Sequence, residues 1–389
     1  MKYLSYLCMF CLALMLSAPA IKARFYISDV FVYYLPFLVF AGSTLAFNLL
    51  YKTKAYFQFV EASAYGLILS AAVFSFAVGG FLEQGLLIKI LLNCGLAATI
   101  VMYPWSRGGL HMFFLFMAIL GSILALYTMM YLGSNTALED ATDQARQGYI
   151  TVSVVMGFGC LAGLYLIFEK PHLVYYALFA TSWIGLALGR GRGALLFCVV
   201  FTSLYIAFML MQRKRSVGFK VKAAVFFFVG GFIPIVFNRL MSLDQNQGRW
   251  ARLLNDFASE VDDGGRGALV AEAMRLIKAS PLYGNGLGEY MMFGGHPHNL
   301  FLQFGVDGGM IAMALVFVFV LRVCYLGFRS LGSYTVGDLN ITCAAFGFFL
   351  FIFANMLKSG DAYLGREWFI CAALPIVVHM LQKYTRKPN

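Results

Sequence analysis

The sequence predicts an all-α polytopic membrane protein, with about 12 transmembrane helices and one long outer-face loop containing amphipathic helices. Three observations lead there. First, 61% of the 389 residues are hydrophobic and 12% are charged, whereas a soluble domain is about half apolar and about a quarter charged. So few charges cannot cover a water-facing surface, which excludes a cytosolic enzyme. The 39 Phe and 22 Tyr likewise exclude a disordered chain. Second, apolar runs of spanning length recur from one end to the other. Third, the excess of Lys and Arg gathers in alternate loops.

A spanning helix needs ~20 mostly apolar residues. In order, such runs lie near Tyr3–Ala20, Val30–Leu50, Ala64–Leu82, Gly85–Tyr103, Leu110–Leu132 and Tyr149–Phe168. They continue near Leu173–Leu188, Ala194–Met211, Ala223–Leu240, Gly308–Leu326, Leu339–Leu357 and Phe369–Leu381. In the first run, Lys2 and Ser17-Ala18-Pro19-Ala20 resemble a secretory signal with a small-residue cleavage site. Lys22 and Arg24 directly downstream argue against cleavage, and in either case the second span starts outside. The eight cysteines all fall inside apolar runs without metal-ligand spacing, where they act as small buried apolar residues.

Orientation follows the basic residues. With a cytoplasmic N-terminus, the inner loops carry Lys52, Lys54, Arg107, Lys170 and the cluster Arg213, Lys214, Arg215, Lys220, Lys222, and the tail adds Lys383, Arg386 and Lys387. Only Glu61, Glu169 and Asp338 oppose them. The outer loops instead mix acids, among them Glu139, Asp140, Asp143, Asp256, Glu260 and Asp361, with a similar number of bases. The formal net charge of +11 is therefore a topology signal and not a nucleic-acid footprint. Both termini are expected in the cytoplasm.

The whole chain, 1–389, reads as a single integral membrane domain. Its one long non-membrane stretch is Met241–Gly295, an outer loop of about 55 residues between the ninth and tenth spans. That is well beyond ordinary connections, which marks it as functional or as a small folded cap. Two pieces of it have helical apolar spacing: Trp250, Leu253, Leu254 and Phe257, then Val270, Met274 and Ile277 with Leu269 and Ala273 beside them. These helices either lie flat on the bilayer or over a cavity, or simply pack.

Three features of the outer face have the chemistry of a site. Gly189-Arg190-Gly191-Arg192-Gly193 places two guanidiniums at the edge of an apolar span. A charge placed deeper costs ~2.5–3.5 kcal/mol, so they snorkel outward as anchors or meet an anion. Arg matches phosphate with a fixed fork of donors. Next, Gly265-Arg266 opens the amphipathic segment that ends at Pro281, followed by Gly284-Asn285-Gly286-Leu287-Gly288. No strand precedes this glycine turn, so it does not read as a nucleotide loop; it reads as a tight turn that lets backbone approach a ligand. Third, His296-Pro297-His298-Asn299 pairs two of the five histidines. A histidine titrates near neutrality and can accept a hydroxyl proton. No Cys or carboxylate stands at metal spacing nearby, so no metal and no cofactor are expected. Asp262-Asp263 reads as a solvated turn.

In this order the residues resemble the family of O-antigen ligases and Wzy-type O-antigen polymerases. The resemblance rests on Arg192-Gly193-Ala194 at the head of a span, Gly265-Arg266, Pro281, the Gly284–Gly288 turn, and His298-Asn299-Leu300-Phe301-Leu302-Gln303. It covers roughly Leu188 to Leu321. Asp307, Ala312 and Val270 stand where the family usually has Glu, Gly and often Trp.

The resemblance implies a metal-independent membrane glycosyltransferase of the GT-C type in the bacterial inner membrane, with its active site facing the periplasm. Its donor is an undecaprenyl-diphosphate-linked oligosaccharide, and its acceptor a glycan or the lipid A core. Membrane lipids surround it, other polysaccharide-assembly membrane proteins are its neighbours, and nucleic acid is not a partner. In this reading Arg192, Arg266 and His298 are catalytic, and Arg190, His296, Asn299, Gly286 and Gly288 bind substrate.

A ligase serves a phosphate-rich acceptor and favours a cationic outer face. The balanced outer charge here leans toward a polymerase. A transporter or flippase is the more distant alternative. Such proteins carry ionisable residues at the midplane and broken helices in matching halves, whereas only Lys89 falls deep in a predicted span.

Overall fold

The structure is a computed structural model that describes residues 2–25, 27–51, 65–79, 84–132, 143–189, 192–210, 266–290, 299–332, 335–358 and 365–385. Among the described residues, all regular structure is helical. The elements are α1 (Lys2–Phe25), a π-helical turn (Val30–Tyr34) running into α2 (Leu35–Tyr51), α3 (Tyr65–Gly79), α4 (Gln84–Met102), α5 (Arg107–Leu132) and α6 (Asp143–Glu169). They continue with α7 (Leu173–Leu188), α8 (Arg192–Leu210), α9 (Arg266–Ala279), α10 (Leu300–Leu331), α11 (Val336–Lys358) and α12 (Arg366–Thr385).

Among the described residues, seven stretches are long and apolar enough to cross a membrane: Tyr3–Lys22, Val30–Leu49, Arg107–Met130, Ile150–Glu169, Gly193–Leu210, Leu300–Leu331 and Gly337–Lys358. Tyr65–Ala77, Leu86–Met102 and Leu173–Leu188 are shorter apolar helices. The chain is thus a multi-pass α-helical membrane protein. The expected ninth span, Ala223–Leu240, and the piece holding Trp250 to Phe257 lie outside the described residues. Lys89, expected deep in a span, stands exposed on the second turn of α4, where its stem can reach water. Seven of the eight cysteines are buried and all are free thiols, Cys324 being half-buried.

The chain divides into two compact units, Met1–Ser43 with Trp105–Leu253 and Leu331–Phe351, and Thr44–Pro104 with Leu254–Ser330 and Ile352–Asn389. In the first, α5, α6 and α7 meet through small residues. A first side-chain carbon on Gly159 would stand 2.7 Å from Ser182 Oγ and 2.9 Å from the Gly121 Cα, and one on Gly185 would stand 2.3 Å from Ala125 Cβ. Lipid gives apolar surfaces little reason to leave it, so close backbone approach and buried hydrogen bonds hold such helices together. Ser122 Oγ supplies one of these, 2.9 Å from Leu178 O and 3.2 Å from Ser182 Oγ.

A polar clamp closes one end of this unit. Tyr205 on α8 donates its hydroxyl to Asn340 O at 2.9 Å, and Asn340 Nδ2 donates to Tyr165 O and Glu169 Oε2 on α6, both at 3.1 Å. Arg107 and Asp338 pair at 3.9 Å beside it. The ends of α6 and α8 and the starts of α5 and α11 therefore share one side, as alternating spans require. Arg192 opens α8 about 20 Å from Tyr205 along the helix, toward the opposite side of the same unit.

In the second unit, Tyr65 on α3 donates to Phe369 O on α12 at 3.0 Å, and its ring lies tilted against Phe319, which meets Trp368 edge-on. Ser330 Oγ and His379 Nδ1, 3.1 Å apart, join α10 to α12 at one end. At the other end α10 is broken. Gly308 (φ −130°, ψ 15°) and Gly309 (φ 64°, ψ −161°) interrupt it, so a short section from Leu300 precedes the spanning section that starts at Met310. The latter is about 33 Å long, enough to cross a bilayer.

Candidate functional site

The broken head of α10 is the centre of a small packed module in the second unit. Its core is Ala273 and Leu276 from α9, Tyr290 and Val306, with Leu269, Ile277 and Leu302 against it. The inward stripe of α9 is therefore Leu269, Ala273, Leu276 and Ile277. Val270 and Met274, which the spacing groups with Ile277 on one apolar face, are 39% and 42% exposed. A helix with two apolar stripes can bury either, and contact with Val306 and Tyr290 selects this one. Tyr290 donates its hydroxyl to Leu269 O at 2.7 Å, and burial pushes its pKa up. On the wet side of α9, Arg275 pairs with Glu272 at 2.6 Å. That bond, made largely by the guanidinium, holds the Glu272 carboxyl below its usual range.

The glycine turn ties α9 to the break. Gly284, Gly286, Gly288 and Gly309 have φ of 75°, 109°, 84° and 64°, the left-handed half of the map that favours glycine. Asn285 N donates to Val306 O at 2.8 Å, Gly286 N to Asp307 O at 2.9 Å, Leu287 N to Ser75 O at 3.2 Å, and Met310 N to Pro281 O at 2.8 Å. Asn285 Nδ2 also donates to Leu276 O and Val306 O, both at 3.1 Å. The carbonyls freed by the helix break thus find partners in the turn, and the turn's amides find partners in the helix. At Gly284 the close backbone approach is to α10 itself, not to a ligand. A side-chain carbon there would stand 2.5 Å from the Asp307 carbonyl.

Asn299 sits at the head of this module as the N-terminal cap of α10. Its Oδ1 accepts from Phe301 N at 3.0 Å and Leu302 N at 3.2 Å, while Nδ2 donates to Leu357 O near the end of α11 at 3.2 Å. One side chain therefore satisfies two orphan amides and one late carbonyl. Asn299→Asp keeps the cap but loses the donor, and Asn299→Ala loses both. The expected outcome is protein at near-normal level in Asn299→Asp, with Asn299→Ala destabilised by about 1 kcal/mol. Immunoblot of membranes checks this.

The other predicted residues are distributed as follows. Gly286 and Gly288 are buried in the turn. Arg266 is the first residue of α9 and Arg192 the first of α8, their side chains being outside the described residues; Arg190, His296 and His298 lie outside them altogether. Arg266, the glycine turn and Asn299 all belong to segments of one packed module. Arg192 belongs to the first unit. Sequence reasoning missed Ser75 and Asn285, which brace the turn. An Asn flanked by glycines was the available signal for Asn285; nothing in the apolar run around Ser75 marked its carbonyl.

No curated protein matches the chain. Residues 177–317, from early α7 into the spanning section of α10, match the family described as O-antigen ligase. That interval contains the arginine turn, the head of α9, the glycine turn and the Asn299 cap.

Proposed function

We propose that the protein is a surface-polysaccharide polymerase. It acts on O-antigen or exopolysaccharide, transferring undecaprenyl-diphosphate-linked glycan to a growing chain at the periplasmic face of the inner membrane. The observation that carries this reading is the extent of the family match, 177–317, which encloses Arg192, Arg266, the glycine turn and His298-Asn299 in one ordered set.

The acceptor hydroxyl oxygen bonds to the anomeric carbon of the donor glycan as the bond from that carbon to the diphosphate oxygen breaks. The electron pair leaves with the diphosphate, His298 takes the hydroxyl proton, and the products are the lengthened glycan and undecaprenyl diphosphate. The charge that develops on the leaving diphosphate is met by Arg192 and Arg266, with Arg190 beside them, through charge-assisted contacts that need no metal. Asn299 holds the His298 segment against α11, His296 contacts the acceptor, and Gly286 and Gly288 line the site through their backbone.

The description of the matched family favours a second reading, a ligase that passes the glycan to lipid A core. The even mixture of acids and bases in the outer loops favours the polymerase. A deletion strain separates them on a lipopolysaccharide gel. Loss of the polymerase leaves a single-repeat band, and loss of the ligase leaves long chains on the carrier lipid. Lipid-linked repeats held on the cytoplasmic leaflet would instead mark a transporter and sink both.

A further inference from the structure

The polar clamp of the first unit leaves one hydroxyl unused. Tyr205 donates to Asn340, and Asn340 donates to Tyr165 O and Glu169 Oε2. Tyr165 itself is 1% exposed, and its hydroxyl has no hydrogen-bond partner among the described residues. A buried donor in that state lowers stability, and phenylalanine would fill the same space without the loss.

The groups around this hydroxyl carry both signs. The Tyr165 ring lies 5.9 Å from that of His111 and 4.6 Å from that of Phe114, and the charges of Glu169 and Arg107 act on its polar end. Arg107 approaches Asp338 only to 3.9 Å, too far for a hydrogen bond, so its guanidinium donors can serve a further acceptor. Gly337 makes room for that guanidinium, since a side-chain carbon there would stand 2.8 Å from the guanidinium carbon. Glu169 is half-buried, with one carboxylate oxygen on Asn340, and Lys170 beside it is exposed. Arg107 begins one apolar stretch of spanning length and Glu169 ends another, so the cluster lies at the depth of lipid headgroups. The buried hydroxyl is its deep end, and Arg107, with a side chain 51% exposed, is its mouth.

Basic residues at a span end also serve as anchors. An anchor requires neither acids within reach nor a buried unpaired hydroxyl. We propose that this cluster binds a zwitterionic phospholipid headgroup of the phosphoethanolamine class. The phosphate accepts from Arg107 and from the Tyr165 hydroxyl, and the ammonium donates to Glu169. Arg192 begins α8 toward the opposite side of the same unit, so this lipid site stands apart from the proposed transfer chemistry.

The test titrates the full chain in detergent with phosphatidylethanolamine, phosphatidylcholine, phosphatidylglycerol and diacylglycerol of identical acyl chains, reading bound lipid by native mass spectrometry. The parent chain is expected to hold phosphatidylethanolamine about tenfold more tightly than the other two phospholipids, as one charged hydrogen bond implies. Phosphatidylcholine has no N–H to donate, and phosphatidylglycerol has no ammonium. Glu169→Gln keeps an acceptor for Asn340 and should bring the ethanolamine and choline lipids within about twofold of each other. Tyr165→Phe should weaken both about fivefold, with diacylglycerol binding unchanged and the lipid-free thermal midpoint no lower, because no protein group loses a bond. A parent chain that does not prefer phosphatidylethanolamine overturns the proposal, as does a preference that survives Glu169→Gln. A lowered lipid-free midpoint in Tyr165→Phe also overturns it, since the hydroxyl then serves the fold.

Discussion

Alanine at Arg192 or Arg266 is expected to cut glycan transfer by roughly 100–1000-fold, the usual loss when one preorganised donor to a developing negative charge is removed. His298→Ala should cost about 100–10,000-fold, the range for a general base. The three variants should accumulate in the membrane like the parent protein. Arg192 and Arg266 each open a helix, where a positive charge opposes the dipole, so removing it does not weaken the helix end. Arg→Lys at either position should recover only part of the activity, because an ammonium cannot copy a bidentate fork. Surface polysaccharide scored by gel against protein level by immunoblot gives the result. Normal polysaccharide in all three alanine variants would remove the proposed site.

The second large effect is structural. Gly284→Val and Gly309→Val are expected to lower the amount of folded protein at least several-fold, because a destabilisation of about 1–2 kcal/mol already changes abundance to that degree. Two causes combine. Both residues have left-handed φ, 75° and 64°, which costs a side-chain-bearing residue roughly 1–2 kcal/mol. Both also touch backbone, since a side-chain carbon would stand 2.5 Å from Asp307 O at Gly284 and 2.4 Å from Leu282 O at Gly309. Backbone cannot step aside as a flexible side chain can. Gly267→Ala is the control: it has nothing within 4 Å and lies in α9, where alanine is favoured by about 0.5–1 kcal/mol. Immunoblot of membranes compares the three, and Val variants as abundant as the Ala control would mean that the turn does not pack on the helix break.

Much of the helical layout was legible because hydropathy reports it directly. The runs around Leu110–Leu132 and Tyr149–Phe168 reappear as α5 and α6, since their apolar character is continuous over more than a bilayer thickness. What hydropathy cannot read is a polar or half-buried extension. The tenth span was expected from Gly308, yet α10 begins at Leu300. Its first section packs on α9 and the glycine turn, and it includes the buried Gln303 and Asp307. Similarly α12 extends to Arg366 and Thr385, beyond the expected Phe369–Leu381, because the charges at its ends lower the hydropathy without breaking the helix.

The candidate site was legible as residue types and only partly as geometry. Alternating glycines correctly signalled left-handed backbone at Gly284, Gly286 and Gly288, but the spacing does not say what the turn approaches. The bonds from Asn285 and Gly286 to Val306 and Asp307 come from a helix break about 20 residues later in the chain, a contact that no local pattern encodes. That Asn299 caps α10 and reaches Leu357 depends on α11 ending beside it.

In the proposed transferase, Arg192, Arg266 and His298 close around the same diphosphate. A cryo-EM structure of the full chain with undecaprenyl diphosphate bound measures it directly. The prediction is guanidinium nitrogens of both arginines within ~3 Å of phosphate oxygens, with the His298 imidazole facing the adjoining acceptor space. An arginine pair directed apart, or a histidine about 30 Å away across the bilayer, would contradict it.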